Sequence, residues 1–236
     1  MTRHDGGVAT AYRLRIGESG PTQQSPVSCG AACLTVARML TDPLFASWVR
    51  EGTPRLPGTP TGRTAAERFG AYERLVMGRT NALSLSATGR QPPWPRALGT
   101  PPWGAKHELE ALTARRGTRY AVVGLRAEPS AGLRVGYDRL ARVIGEGAPA
   151  LLYVGNAILP RHVVLVLPAS AGGAGGRELA VYDPASGLVS ALRADAFAER
   201  RLGLSGWDIP WASVQPLGLR PVRSTSYAAD LGPAPA

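Results

Sequence analysis

The sequence predicts an α+β domain in which a helical half precedes a half rich in β-strands. In the first half, Cys29, Cys33, Val36 and Leu40 recur at helical spacing within "CGAACLTVARML". The second half contains three short apolar runs, "APALLYVG", "RHVVLVLPA" and "ELAVYDP", each of strand length. Hydrophobic residues make up 44% of the 236 positions, which is enough to bury a sizeable core.

The first elements follow from local patterns. Residues 8–17 alternate weakly between apolar and polar and favour a leading strand. The helix that begins near Cys29 has Ser28 before it as a candidate N-cap. A second helix is expected over "TAAERFGAYERLVMG", residues 64–78.

A long block in the first half differs in composition from the rest. Residues 52–63 and 88–105 are rich in proline and glycine and predict loops. We therefore interpret residues 52–105 as an excursion from the compact fold, too polar and proline-rich to form a core. We expect this excursion to lie against the body and border one end of a cleft, with Trp94 and Trp103 as its packing residues.

The second half reads as alternating helices and strands. A helix is expected over "KHELEALTARRG", ending at Gly117, then a strand, "RYAVVGL", and a helix, "YDRLARVIGEG". The three apolar strands follow, with a hairpin tip at 170–177 between the last two. A short helix, "RADAFAERR", and a closing strand, "ASVQPLGLR", complete the domain. We expect a single domain over residues 1–222 and a flexible tail at 223–236.

The net charge of +10 suggests nucleic-acid binding, but the distribution of charge argues against it. Of the 27 basic residues only Lys106 is a lysine, which indicates a coding bias towards arginine. The arginines are scattered and form no stripe with aromatic residues. We expect no nucleic-acid partner, although a basic nucleic-acid-associated module stays open as an alternative.

The remaining composition bears on location and cofactors. No stretch is apolar and long enough to span a membrane, and no signal-peptide pattern begins the chain, so the cytoplasm is the expected location. Export by a route without a cleaved signal stays open. Cys29 and Cys33, one helical turn apart, are poorly directed for a disulfide. With three scattered histidines, they do not form a zinc pattern, and we expect neither a metal nor a cofactor.

The pattern that indicates chemistry is a cysteine, a histidine and an aspartate at the ends of predicted elements. Cys29 lies at a helix N-terminus, where the helix dipole stabilises a thiolate nucleophile. His162 opens a buried strand, from which an imidazole can be held rigidly as the base. Asp183 ends the next strand, and pairing of the two strands would let it orient His162. The backbone N–H of Cys29 and the side chain of Gln23 are candidate donors to an oxyanion.

Each of these residues also has a simpler interpretation. Free cysteines are often small core residues, which is the interpretation we favour for Cys33 and leave open for Cys29. His162 could be a hydrogen-bonded histidine at a strand end, and Asp183 the start of a turn. Gln24 could take the role of Gln23, because the register of a loop is uncertain from sequence.

Together, the motifs resemble a known family, the bacterial papain-like cysteine peptidases. Gln23, six residues before Cys29, and the following Cys-Gly-x-Ala-x-Leu are similar to the motif of the bacteriocin-processing, double-glycine-leader peptidase domains and their stand-alone relatives. The family's later motifs have counterparts in "RHVVLVL" and "YDPASG". The resemblance covers about residues 20–60 and 105–215. The interval from the cysteine to the histidine is longer here than expected for the transporter-linked domains.

The resemblance implies a papain-like fold, with a helical half, an antiparallel sheet and an active-site cleft between them. It implies Cys29 as nucleophile, His162 as base, Asp183 as orienter and Gln23 in the oxyanion hole. The expected activity is that of a hydrolase, a cysteine peptidase that cleaves a peptide or protein substrate through a thioester. Alternatives are a papain-fold deamidase or acyltransferase of the toxin type, and an inactive module that binds peptides.

Overall fold

The structure is a computed structural model, and it has an α+β architecture built on one six-stranded antiparallel sheet. A separate sheet has two strands. The α+β class predicted from the sequence is thus confirmed. The described residues are 11–86, 89–113, 118–145, 147–168 and 178–217.

The helices begin and end at residues that explain their boundaries. Asp42 separates the first two helices, since its side chain accepts a hydrogen bond from the N–H of Phe45 at 3.0 Å. Gly52 ends the second helix with φ +85°, a conformation that favours glycine. The helices are α1 (Cys29–Thr41), α2 (Pro43–Glu51), α3 (Ala65–Asn81), α4 (Pro102–Glu108, continued by a π-turn, Leu109–Thr113), α5 (Ser130–Gly145) and α6 (Ala194–Ala198).

The strands of the large sheet all pair antiparallel with their neighbours. Its centre consists of β-branched and leucine side chains that are buried on both faces. The strands are β1 (Ser84–Ser86), β2 (Gly89–Gln91), β3 (Tyr120–Gly124), β4 (Ala150–Gly155), β5 (Pro160–Val166), β6 (Glu178–Tyr182), β7 (Val189–Arg193) and β8 (Ile209–Pro216). The order across the large sheet is β3-β8-β4-β5-β6-β7, and β1 pairs with β2 in the separate sheet.

The sheet separates two hydrophobic clusters. Alternation along β4 sends Leu151 and Tyr153 to the face covered by α1–α4, and Leu152 and Val154 to the face covered by α5 and α6. Helix α1 packs against β5 on the first face. The first residue of α1 is therefore held against the sheet. No helix in the described residues is both apolar enough and long enough to span a membrane.

Two sequence predictions about the first half were wrong. Residues 11–17 form no strand, and residues 8–10 lie outside the described residues. The excursion at 52–105 does contribute to the core, because α3 buries Phe69 and Tyr72 beneath α1 and α2. The helix itself was predicted, but the proline and glycine on both sides of α3 led us to place it outside the core.

The other elements largely follow the sequence, with a few differences. Within the predicted loop at 88–105 lie β2 and the start of α4, since Pro102 is accepted in the first turn of a helix. The prediction missed β7 and the β1–β2 pair. The hairpin tip at 170–177, the helix end at Gly117 and the tail at 223–236 lie outside the described residues.

Candidate active site

Cys29 is the first residue of α1, as the sequence predicted. The preceding Ser28 does not cap the helix with its side chain; its hydroxyl instead donates to the carbonyl of Ser25 at 2.8 Å. Cys33, one turn further, is fully buried and its thiol donates to the carbonyl of Val163 at 3.4 Å. Burial raises the pKa of Cys33 well above its ordinary value. The two cysteines thus have different environments.

His162 lies near the start of β5 and connects the cysteine to the aspartate. Its Nε2 is 2.8 Å from Asp183 Oδ1, and Cys29, which lines the same cavity, is close enough to raise the pKa of the imidazole. Because Nε2 faces the carboxylate, Nδ1 is the ring nitrogen left for the sulfur. The structure therefore brings Cys29, His162 and Asp183 together in the order expected from the sequence.

Sheet register explains why Asp183 reaches His162. Tyr182, the last residue of β6, pairs with Leu165 of β5, so the chain leaving β6 passes beside the start of β5. The Asp183 carboxylate is then held by two further donors, the N–H of Ala185 to Oδ1 at 3.0 Å and the hydroxyl of Ser205 to Oδ2 at 2.6 Å. This network fixes the carboxylate on both oxygens.

Ser205 is the residue of the site that the sequence analysis missed. It lies in a tight turn between Leu204 and Trp207 and has φ 48°, a left-handed conformation uncommon outside glycine. Such conformations are often found at functional sites, where the surrounding structure maintains them. A serine-glycine pair in a turn was visible in "LSGW", but nothing in the sequence indicated its distance from Asp183.

The network determines the charges of the site. Burial alone would lower the pKa of His162, but the hydrogen bonds to Asp183 and Cys29, and their charges, raise it to about 9. Burial would raise the pKa of Asp183, but the hydrogen bonds from His162 and Ser205 outweigh it, and the pKa is lowered. At neutral pH the arrangement favours an imidazolium next to a carboxylate.

Gln23, the candidate oxyanion donor, is held in the loop before α1. Its backbone N–H donates to the carbonyl of Pro184 at 2.8 Å, and its Nε2 donates to the carbonyl of Ser25 at 2.8 Å. Its Oε1 is buried without a hydrogen-bond partner among the described residues. One hydrogen of the amide is thus engaged within the loop, and Gln23 is not among the described residues that line the cavity at Cys29. The alternative donor, Gln24, is exposed and its Nε2 donates to Thr22.

The loop that carries Gln23 is anchored by a buried acid. The carboxylate of Glu73 on α3 accepts the backbone N–H of Gln24 at 3.2 and 3.1 Å and makes a side-chain hydrogen bond with Ser28. Burial raises the pKa of Glu73 despite these bonds. Together with the contact between Gln23 and Pro184, this bond fixes the loop between α3 and the sheet.

Gly30, the second residue of α1, has a packing role. A Cβ at this position would lie 2.6 Å from Cβ of Thr100, closer than real side chains approach. Only glycine lets the segment before α4 pack onto the start of α1.

A cavity of about 540 Å³ opens at the sulfur. Cys29 and His162 both line it, at the junction between α1, β5 and the segment 94–102 of the excursion. Trp94 also stacks edge-to-face on Trp103, with ring centroids 5.1 Å apart. The excursion therefore borders the cavity, as expected. Trp103 has a packing role, whereas Trp94 both packs against Trp103 and lines the cavity.

The other histidines are not part of this constellation. His107 contacts Gln91, with Nδ1 3.2 Å from Oε1, and does not line the cavity. Burial lowers the pKa of His107. His4 lies outside the described residues. Within the described residues, no group of three or more histidine, cysteine, aspartate or glutamate side chains is placed to hold a metal ion.

Neither the comparison with protein-family models nor that with curated proteins gave a match. The functional interpretation therefore depends on the geometry of the site and on the motifs in the sequence.

Proposed function

We propose that this protein is a cysteine peptidase of papain-like fold that hydrolyses a peptide bond through Cys29, His162 and Asp183. The observation that carries the proposal is the arrangement of Cys29, at a helix N-terminus that opens into a cavity, with His162 on the same cavity and hydrogen-bonded to Asp183. A buried cysteine and histidine with only structural roles would not need a carboxylate fixed on both oxygens. The motif resemblance supports the same assignment.

In the first step, the sulfur of Cys29 attacks the carbonyl carbon of the scissile bond as a thiolate. A carbon–sulfur bond forms, and the π electrons of the carbonyl move to its oxygen. As the carbon–nitrogen bond breaks, the leaving amine takes the proton held at Nδ1 of His162. The raised pKa of His162, about 9, keeps that proton available at neutral pH.

In the second step, water attacks the thioester. Neutral His162 takes one proton of the water at Nδ1, the carbon–sulfur bond breaks, and the thiolate is restored beside the imidazolium. Asp183 holds Nε2 throughout, which fixes the ring orientation and stabilises its positive charge.

The oxyanion that forms in both steps needs donors. Cys29 is the first residue of α1, so its backbone N–H has no partner within the helix, and the positive end of the dipole lies at the same place. The free hydrogen of the Gln23 amide is the second proposed donor. Removal of one such donor typically costs about 10²–10³ in kcat.

Acylation by p-nitrophenyl acetate, followed by intact-protein mass spectrometry, tests the proposal. The wild type and Cys33→Ala should gain one acetyl group that is then hydrolysed, whereas Cys29→Ser and His162→Ala should not. Cys33 is a matched control because it is the other cysteine of the same helix. Incubation with a peptide substrate then distinguishes peptidase from deamidase activity. New peptide termini indicate a peptidase, whereas a mass gain of about 1 Da on a glutamine would show that the protein is a deamidase instead.

A further inference from the structure

The residues that line the cleft restrict the class of substrate in ways that the catalytic residues do not. Its described lining is mostly apolar and includes Trp94, Leu98, Leu159 and Trp211. Its volume of about 540 Å³ lies within the range of ~300–1,000 Å³ typical of ligand pockets. A site of this size and composition accepts a bulky apolar side chain together with the backbone that carries it.

Two apolar side chains at the mouth are largely exposed. Leu98 is 65% exposed on a 3₁₀ turn of the excursion, and Leu159 is 49% exposed in the turn between β4 and β5. Ile158, beside Leu159, is 77% exposed. Exposed apolar residues concentrated at the mouth of a cavity are typical of a binding surface.

The turn that presents Leu159 is held rigidly. The side chain of Asn156 accepts the backbone N–H groups of Ile158 and Leu159, both at 2.9 Å. The indole of Trp211 donates to the Asn156 carbonyl at 2.9 Å, and Arg126 donates to the Ala157 carbonyl at 2.8 Å. Because the backbone is fixed by these bonds, little backbone ordering entropy is lost when a ligand covers these side chains.

Charge in the cleft has one sign. Among the described lining residues, Arg161 is the only one with a permanent charge, and no aspartate or glutamate accompanies it. Arg161 makes no ion pair with a described residue, and it directly precedes His162. An unpaired arginine at the edge of an apolar cleft is complementary to a carboxylate on the ligand. The net charge of +10 attracts acidic ligands over longer distances.

We propose that the cleft binds a peptide segment in which a bulky apolar residue, seated between Leu98 and Leu159, neighbours an acidic residue that pairs with Arg161. This inference concerns the substrate class and rests on the proposed function only for its consequence in cleavage. Binding itself depends on the cleft, so it can be measured without turnover.

The test uses fluorescein-labelled hexapeptides with a central Phe-Glu or Glu-Phe pair. Matched peptides replace Glu by Lys, or Phe by Ser. Fluorescence anisotropy measures their affinity for full-length Cys29→Ser, and cleavage of the same peptides by the wild type is followed by mass spectrometry. One acidic peptide should bind about two- to fivefold more tightly than its Lys counterpart, as expected for a single exposed ion pair. The Phe-to-Ser change should weaken binding by about tenfold or more.

Charge reversal provides the decisive variants, made in the Cys29→Ser background. Arg161→Glu should reverse the preference from the acidic to the Lys peptide, and Arg161→Gln should remove it. Arg134→Glu is the matched control, because Arg134 is an exposed arginine on α5, which covers the opposite face of the sheet, and the net charge changes equally. Leu159→Ser should weaken both peptides while leaving their ratio unchanged.

The outcomes separate the two proposals. Selective binding without Cys29-dependent cleavage supports the substrate class and rejects the peptidase. Cleavage without preference for apolar and acidic residues rejects the substrate class alone. Equal effects of Arg161→Glu and Arg134→Glu would also overturn it, since net charge would then explain the preference. So would self-association through the cleft, seen as dimerisation of the peptide-free protein in analytical ultracentrifugation that Leu159→Ser abolishes.

Discussion

The charge of His162 can be tested directly, because the chain has only three histidines. The perturbation is Asp183→Asn, which keeps the size of the side chain and removes its charge. In the native site the pKa of His162 is about 9 against an ordinary value of 6.5. At 1.36 kcal/mol for each pH unit, this difference corresponds to about 3 kcal/mol in favour of the imidazolium.

The expected change follows from the causes of that pKa. Burial lowers it, and the hydrogen bond to Asp183 is the largest of the interactions that raise it. Loss of the carboxylate should therefore lower the pKa of His162 clearly below about 9. Cys29→Ser should also lower it, since Cys29 contributes the next two interactions that raise it.

Nuclear magnetic resonance of the imidazole carbon-bound protons across pH 5–10 measures these values, with His162→Ala to assign the signal. His107 is an internal control: burial lowers its pKa below 6.5, and Asp183→Asn should leave it unchanged. Because the leaving amine needs the imidazolium, the alkaline limb of kcat should move downward with the pKa of His162. A wild-type His162 that titrates at or below 6.5, or one that Asp183→Asn does not move, would refute the reasoning.

Three further predictions concern the thiols, the base and the excursion. Brief iodoacetamide treatment at neutral pH should label Cys29 at least about tenfold faster than Cys33, whose thiol is fully buried, and peptide mapping showing equal labelling would contradict the assignment. His162→Ala should abolish acetylation by p-nitrophenyl acetate while His107→Ala preserves it; the reverse result would place the base elsewhere. Phe69→Ala should lower the free energy of unfolding by about 3–5 kcal/mol in urea denaturation, because Phe69 belongs to the core. A change below about 1 kcal/mol would show that the excursion does not contribute to the core.

The parts of the site that the sequence revealed are those governed by short-range rules. A small-residue run after Ser28 indicated a helix start, and consecutive strands indicated that His162 and Asp183 would meet. Ser205 lies 22 residues after Asp183 in the chain. Its contact with Asp183 depends on where the turn that carries Ser205 lies in the fold, and no local sequence pattern encodes that position. Long-range contacts of this kind depend on the completed fold.

The error about the excursion has a different cause. The apolar spacing of α3 was present in the sequence, with Phe69, Tyr72 and Val76 on one face, but the composition of its flanks dominated the interpretation. Composition averages over a block, whereas burial is decided residue by residue. The location of Leu98 and Thr100 at the cleft likewise required the packing of α3 and α4 to be known.

The way the loop before α1 is attached has a consequence for the evolution of this site. Gln24 is bonded to Glu73 on α3 and Gln23 to Pro184 beside the sheet, so the residues leading to Cys29 are shared between two parts of the chain. A descendant that shortened residues 52–105 would lose both a wall of its cleft and one anchor of its nucleophile. Substrate selectivity and the reactivity of Cys29 therefore evolve together. If the excursion is exchanged for another that recognises a new substrate, the new segment must also supply a replacement for Glu73.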